Sequence, residues 1–404
     1  MAHGSSIDRG GLLPSSLLAM LASRGPTSRA DLARALDVSA PTVTQIVRDL
    51  LARALVVEQA TATSHGGRPA RPIGLAVSAG GALGVKITHD HVGVVEVALD
   101  GTTGAASTIP FDPTRPDALD RLAQLLDDVA ASSDQRLLGV GVGVPGAVDA
   151  QDSGVVTAPT LGWDAAPVGQ LLRRHLGIPV LVENDVNTLA VADRLYGAGR
   201  EHNTYLVVTI GRGIGCGMVI DGSIYRGAFG GAGEIGHIPV EYPGGRGCSC
   251  GSVGCLEAWV GDAGLLRTAR DAHVVGRRTG LNRVIELARG GDPGACTIFA
   301  DAGAMLGAAL AGVVHTVDPE VIILSGEGIE AWPLWEPGFV QEFRRHLLPR
   351  WRSIPLIVEA WDETKWMIGA ASLVLAAPFD AVGVAGIQGR LVRDRLQDSD
   401  GRSA

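Results

Sequence analysis

Between residues 80 and 375, short Val-rich runs at 138–144, 180–182, 205–210 and 321–324 alternate with stretches of helical pattern, and each run stops at a turn rich in Gly, Asn or Ser. A chain patterned this way reads as a mixed α/β body with largely parallel strands. Turns at strand ends are where such folds place ligands, so the chemistry is expected there. The chain has 404 residues, 46% of them hydrophobic and 19% charged, which suffices for two or three domains and excludes disorder as the dominant state. Its longest apolar stretch, 303–317, falls short of the ~20 residues of a membrane span and runs into Asp318-Pro319, so it reads as a buried core helix. Pro14, Ser15 and Ser16 interrupt the N-terminal apolar patch, which only Arg9 beside Asp8 precedes. No signal peptide and no membrane partner are expected, and the expected location is the cytoplasm.

Charge divides the chain. Residues 1–75 hold eight Arg and five acids, a surplus of +3, and the total of -9 leaves -12 on the rest. A basic head that meets a polyanion, on an acidic body that does not, follows from this asymmetry. In the head, Val43, Ile46, Val47, Leu50, Leu51 and Ala54 recur with helical spacing, and Ser39 is placed as the N-cap. Upstream, Leu17, Leu18 and Leu21 predict one helix and Ser28-Arg29-Ala30-Asp31 opens another. Residues 55–57 and 73–77 predict two strands around a polar loop. Three helices and a hairpin make a winged helix-turn-helix, whose second motif helix enters the DNA major groove.

The polar face of that helix offers Thr42, Thr44, Gln45 and Arg48, which suit phosphates and base edges. In the wing, Gly66-Gly67-Arg68-Pro69 and then Arg71 present guanidinium groups suited to a narrow minor groove. A three-helix unit of this kind also serves as a packing or dimerisation module with a solvated polar face. The basic surplus and the Gly-Arg-Pro segment favour double-stranded DNA.

Cys248, Cys250 and Cys255 stand as Cys-x-Cys-x4-Cys, with His237 eleven residues upstream. Three thiolates and one imidazole are the ligand set of a tetrahedral structural Zn2+ site. Interleaved Gly245, Gly247, Gly251 and Gly254 let the backbone fold round an ion, whereas the isolated Cys216 and Cys296 read as core residues.

The turns carry a further pattern. Gly141-Val142-Gly143-Val144-Pro145-Gly146, Glu183-Asn184-Asp185-Val186-Asn187, Gly211-Arg212-Gly213-Ile214-Gly215, Gly230-Gly231-Ala232-Gly233-Glu234-Ile235-Gly236-His237 and the Cys cluster through Glu257 run in the order of the ROK family of repressors and sugar kinases. The chain resembles this family over most of residues 80–375, and resembles its winged helix-turn-helix members end to end. The resemblance implies an actin-like, ribonuclease-H-like fold of two lobes around a cleft. It implies a sugar-responsive transcription regulator, most often a repressor, forming a homodimer or dimer of dimers. Asn184, Asp185, Glu234, His237 and Glu257 match the family's sugar-contacting positions, with His237 giving its second ring nitrogen to a sugar hydroxyl. The expected division is a DNA-binding head at 1–75, a body at 76–378 with its lobes meeting near 190, and a largely disordered tail at 379–404.

The chain departs from the kinase members in their nucleotide machinery. Asp185 keeps the position of their general base. Their Asp-x-Gly-Gly-Thr phosphate turn aligns with Gly84-Val85-Lys86-Ile87-Thr88-His89-Asp90, where Lys86 replaces the Asp and both glycines are gone. Arg212 stands where Thr is usual, Glu327 enters the run Ser325-Gly326-Glu327-Gly328, and Thr160 stands where Asn is common. These departures point away from phosphoryl transfer. Two alternatives remain open: an active ATP-dependent sugar kinase with an accessory head, and a regulator whose body no longer binds sugar.

Overall fold

The computed structural model describes residues 9–59, 71–241, 243–379 and 383–398. It divides into two compact units, the first holding residues 1–200 and 364–404, the second 201–363.

The first unit opens with three helices, α1 (Arg9–Arg24), α2 (Arg29–Ala35) and α3 (Ala40–Ala52). Ser28 and Ser39 cap α2 and α3, each accepting the backbone N–H three residues on, as the sequence predicts. Val43, Val47 and Leu50 are buried, and so are Leu17, Leu21 and Leu32. Strands β1 (Val56–Glu58) and β2 (Ile73–Leu75) pair antiparallel and form the base of the wing. The segment Gly66-Gly67-Arg68-Pro69 lies outside the described residues.

The body of the first unit follows: β3 (Gly81–Ile87), β4 (His91–Ala98), β5 (Ser107–Pro110), α4 (Ala118–Ala131), β6 (Leu137–Val144), a small sheet of β7 (Ala147–Val148), β8 (Val156–Ala158) and β9 (Trp163–Ala166), then α5 (Val168–Leu176), β10 (Val180–Asn184) and α6 (Asp185–Tyr196). The second unit carries β11 (Tyr205–Ile210), β12 (Ile214–Ile220), β13 (Ser223–Ile224), α7 (Glu257–Val260), α8 (Asp262–Asp271), α9 (Leu281–Arg289), α10 (Pro293–Val317), β14 (Val321–Ser325), α11 (Trp332–His346) and β15 (Leu356–Val358). The chain then returns to the first unit with α12 (Thr364–Ala376) and α13 (Gly386–Gln397).

Read from one edge, the large sheets run β5-β4-β3-β6-β10 and β13-β12-β11-β14-β15. Numbered by appearance within each sheet, both have the order third, second, first, fourth, fifth. One plan used twice is the duplicated ribonuclease-H-like arrangement of an actin-like body. The expectation of largely parallel strands is corrected: in each sheet two pairings are parallel and two antiparallel. The links at 88–90 and 211–213 are too short for a crossover, so they return as hairpins.

The Gly-Val alternation of β6 has a packing cause. Val140, Val142 and Val144 face the core with Leu122 and Leu126 of α4 and Leu172 of α5. The glycine face lies under α12, where a Cβ on Gly141 would stand 1.8 Å from the Ala370 carbonyl oxygen and one on Gly84 2.0 Å from that of Met367. The helix therefore rests directly on backbone.

Three further expectations are corrected. The lobes divide at Arg200 and Glu201 rather than near 190, because 190 lies inside the unbroken α6. The apolar stretch is longer than expected, the 25-residue α10, long and apolar enough to cross a membrane; its reading as a buried core helix holds, since Leu306, Leu310 and Val314 are buried in one core with Phe339 and Phe343 of α11. The tail is not disordered where it is described: α13 buries Val392 and Leu396. The Arg395 guanidinium donates to the Leu137 carbonyl (3.0 Å), while Arg136 donates to the Arg395 and Asp398 carbonyls.

Candidate functional site

On α3, Thr44, Gln45 and Arg48 are exposed and Thr42 half-buried, so the four predicted DNA contacts share the outer face. The Thr42 hydroxyl pairs with Ser39 (2.8 Å), Thr44 donates to the Ala40 carbonyl (2.8 Å), and Gln45 donates to Asp49 (3.0 Å). Arg48 makes no hydrogen bond or ion pair with another described residue. At the wing base, Glu58 holds Arg29 at 2.5 Å and Arg71 at 3.5 Å. Those guanidinium groups, Arg29 first, keep the Glu58 carboxyl below the usual carboxylate range. Arg71 is thus tethered while its side chain stays largely exposed, and Arg68 lies outside the described residues.

In the second unit, ligand atoms of His237, Cys248, Cys250 and Cys255 all lie within 4.8 Å of one another. The Cys250 and Cys255 sulfurs are 3.8 Å apart, and the Cys248 sulfur is 3.6 Å from His237 Nδ1. Tetrahedral zinc with Zn–S bonds of ~2.3 Å gives S···S edges of ~3.8 Å, so the donor set and its spacing fit the ion. His237 presents Nδ1 to this cluster, and its Nε2 lies 3.8 Å from the Glu234 carboxylate. Glu257, two residues beyond Cys255, accepts the Ile214 N–H (3.3 Å) and the Ser249 hydroxyl (3.4 Å). Three predicted sugar contacts therefore sit at the cluster: His237 is one of its residues, Glu234 lies beside His237, and Glu257 follows Cys255 by two residues. Cys216 is buried, and burial pushes its thiol up to about 12, whereas Cys296 is only half-buried.

Glu327 and Glu257 carboxylate oxygens crowd the glycine turn of the same unit. A Cβ on Gly211 would meet Glu327 at 2.4 Å, and one on Gly213 would meet Glu257 at 2.6 Å. Burial, then the Glu327 charge, hold the Asp262 carboxyl above its ordinary range against the opposing pull of Arg212. Acidic groups thus surround a turn that in a nucleotide site would face phosphate.

In the first unit, Asn184 ends β10 and caps α6. Its Oδ1 accepts the Val186 and Asn187 N–H groups (2.9 and 3.2 Å), and its amide donates to the Gly146 carbonyl (3.0 Å). Glu183, fully buried, anchors the turn by accepting from Gln151 (3.0 Å), Asn187 (3.2 Å) and the Asn184 N–H (2.8 Å). Asp185 follows as the first residue of α6. Its Oδ1 accepts the Val186 N–H (2.9 Å), and its Oδ2 is hydrogen-bonded to the Lys86 ammonium in an ion pair. The Lys86 nitrogen lies 4.4 Å from the centre of the Trp366 ring.

The ROK family model matches residues 82–377. The chain belongs to the ROK family. A MarR family model matches residues 13–66, so this ROK protein carries a winged-helix DNA-binding head. It is 27% identical over 373 residues to the xylose repressor of Bacillus spizizenii, covering 91% of this chain and 95% of that one. The structure of a ROK family transcriptional regulator, a homolog of the E. coli MLC protein, superposes with a TM-score of 0.80 at 23% identity, covering 96% of this chain and 99% of the other. A ROK family glucokinase from Streptomyces griseus, in complex with glucose and AMPPNP, gives a TM-score of 0.64 at 29% identity, covering 73% of this chain and 99% of its own.

Two features of this ROK protein escaped the sequence reading. The replacement at Lys86 was legible, but its pairing with Asp185, 99 positions away, was not. One signal was present: the chain has two Lys among 34 basic residues, and Lys86 sits inside a strand of buried residues. The Glu183 anchor was likewise hidden within a motif read for its neighbours.

Proposed function

We propose that this ROK protein is a sugar-responsive transcriptional repressor that binds double-stranded operator DNA in the cytoplasm as a homodimer. The observation that carries the reading is the union, in one chain, of a winged head with an open outer α3 face and a kinase-like body whose base position is ion-paired to Lys86. The full-length likeness to a xylose repressor supports it, since the glucokinase relative corresponds to only 73% of the chain.

Thr42, Thr44, Gln45, Arg48, Arg68 and Arg71 are assigned to DNA. Asn184 and Asp185 in the first unit, and Glu234, His237 and Glu257 in the second, are assigned to sugar hydroxyls, which carboxylates and amides bind well. His237, Cys248, Cys250 and Cys255 are assigned to a structural Zn2+ that leaves no open coordination position. The sugar acts by binding the DNA-competent and DNA-incompetent states unequally.

Operator binding is tested on duplexes flanking the protein's own gene. Affinity should fall with rising salt. Arg48→Ala should weaken binding by about 1–3 kcal/mol if Arg48 reads a base edge, with little change in melting temperature. Failure of the wild type to bind any flanking duplex above its affinity for random DNA would reject the reading. The purified protein should also leave glucose and N-acetylglucosamine unphosphorylated by ATP and Mg2+, because Lys86 occupies Asp185 and Glu327 crowds the phosphate turn. Turnover that is lost in Asp185→Asn would instead establish a kinase.

A further inference from the structure

Lys86 lies on β3 and is 7% exposed, so its ammonium is enclosed. Among the described residues its contacts are the Asp185 carboxylate and the Trp366 ring face. An ammonium has three N–H donors and a carboxylate about four lone-pair sites. Asp185 takes one donor, and Lys86 and the Val186 N–H take two of the acceptor sites. What remains are two donors beside about two acceptor sites, with no net charge between them.

We propose that Lys86 is a specificity-determining residue of the sugar site. Together with Asp185 it selects an uncharged hydroxyl and excludes a phosphorylated sugar. The inference rests on the sugar-binding reading above and deepens it.

A hydroxyl both accepts and donates, so it takes a hydrogen bond from Lys86 and gives one to Asp185 without separating the pair. A phosphate only accepts. It gains the ammonium but brings its negative charge against the Asp185 carboxylate, in surroundings where charge is poorly screened. An aspartate at position 86, as in the kinases the chain resembles, would set two carboxylates side by side and call for a cation. Here the lysine itself supplies the positive charge beside Asp185. Trp366 bounds the ammonium on a further side, which restricts it to the Asp185 direction.

Calorimetric titration of the full-length protein tests this with matched pairs: glucose and glucose 6-phosphate, N-acetylglucosamine and its 6-phosphate, xylose and its 5-phosphate. The wild type should bind the uncharged member of a pair at least about tenfold more tightly than the phosphate, the effect of one well-placed charged hydrogen bond. Lys86→Met should weaken the uncharged sugar by about tenfold or more. Asp185→Asn leaves the ammonium uncompensated and should narrow or reverse the discrimination by about tenfold. The double variant Lys86→Met/Asp185→Asn carries neither charge, guards against misfolding of a lone buried charge, and should lose the discrimination. A wild type that binds a phosphosugar as tightly as its parent overturns the inference while leaving a sugar-responsive regulator standing. Folded Asp185→Asn and double variants with wild-type discrimination also overturn it. Binding of neither member of any pair overturns the sugar reading and this inference together.

Discussion

Cys255→Ser is expected to abolish stoichiometric zinc and lower the melting temperature by roughly 10 °C or more, since zinc sites of this kind contribute an apparent ~10–16 kcal/mol and whole domains are stable by only ~5–15 kcal/mol. The loop gives the reason. Between Pro239 and Cys255 the chain is joined by isolated bridges, Pro239 to Cys255 and Gly247 to Val253, rather than by an extended strand ladder. Val253 is 57% exposed, so the loop has little apolar burial of its own. Cys255 is the buried thiol of the set, and serine in its place offers a harder oxygen ligand whose hydroxyl stays protonated at neutral pH. Function should fail with it: Leu256 is buried beside the cluster, and Glu257 takes its Ile214 and Ser249 hydrogen bonds from the same turn. Chelation of the wild type should reproduce the variant's melting curve. Freshly purified wild type without a metal equivalent, or a Cys255→Ser protein that melts like wild type, would contradict the assignment.

Gly141→Val should destabilise the first unit by about 3 kcal/mol or more, because overpacking against backbone has no soft neighbour to displace. The nearest atom to the new Cβ is the Ala370 carbonyl oxygen at 1.8 Å, followed by the Ala370 carbonyl carbon at 2.6 Å. The helix must lift, and α12 carries Trp366, which faces the Lys86 ammonium. Sugar affinity is therefore expected to fall even at temperatures where the variant stays folded. Gly143→Ala is the control: its nearest neighbour is the Thr188 hydroxyl at 3.4 Å, an ordinary contact, so a change within about 1 kcal/mol is expected. Paired melting curves and a sugar titration decide it. Equal stability of the two variants would show that α12 is not seated on the β6 backbone.

What the sequence made legible is what short-range chemistry dictates. Ser28 and Ser39 were readable as caps because a cap acts on a backbone N–H three residues away. The zinc ligands were readable because three of them lie within eight positions and thiolates at that spacing have few other uses. Strand direction was less legible: apolar runs mark strands, but the hairpins at 88–90 and 211–213 depend on link length and pairing. The helix at Gly386–Gln397 was hidden because only a few apolar residues, Val392 and Leu396 among them, face inward among Arg, Asp and Gln, and carbonyl contacts from Arg136 hold its end. The Lys86 and Asp185 pair was the least legible, since a contact 99 positions apart exists only once the sheet has formed.

That pair and the open α3 face meet in one measurement: fluorescence-anisotropy titration of the full-length protein against labelled duplexes flanking its own gene, with and without saturating xylose, glucose or N-acetylglucosamine. The expected result is specific binding to one duplex that a single uncharged sugar weakens at least about tenfold, a coupling within the usual ~1–3 kcal/mol. Absence of specific binding, or a sugar that binds the protein and leaves duplex affinity unchanged, would contradict a sugar-responsive repressor.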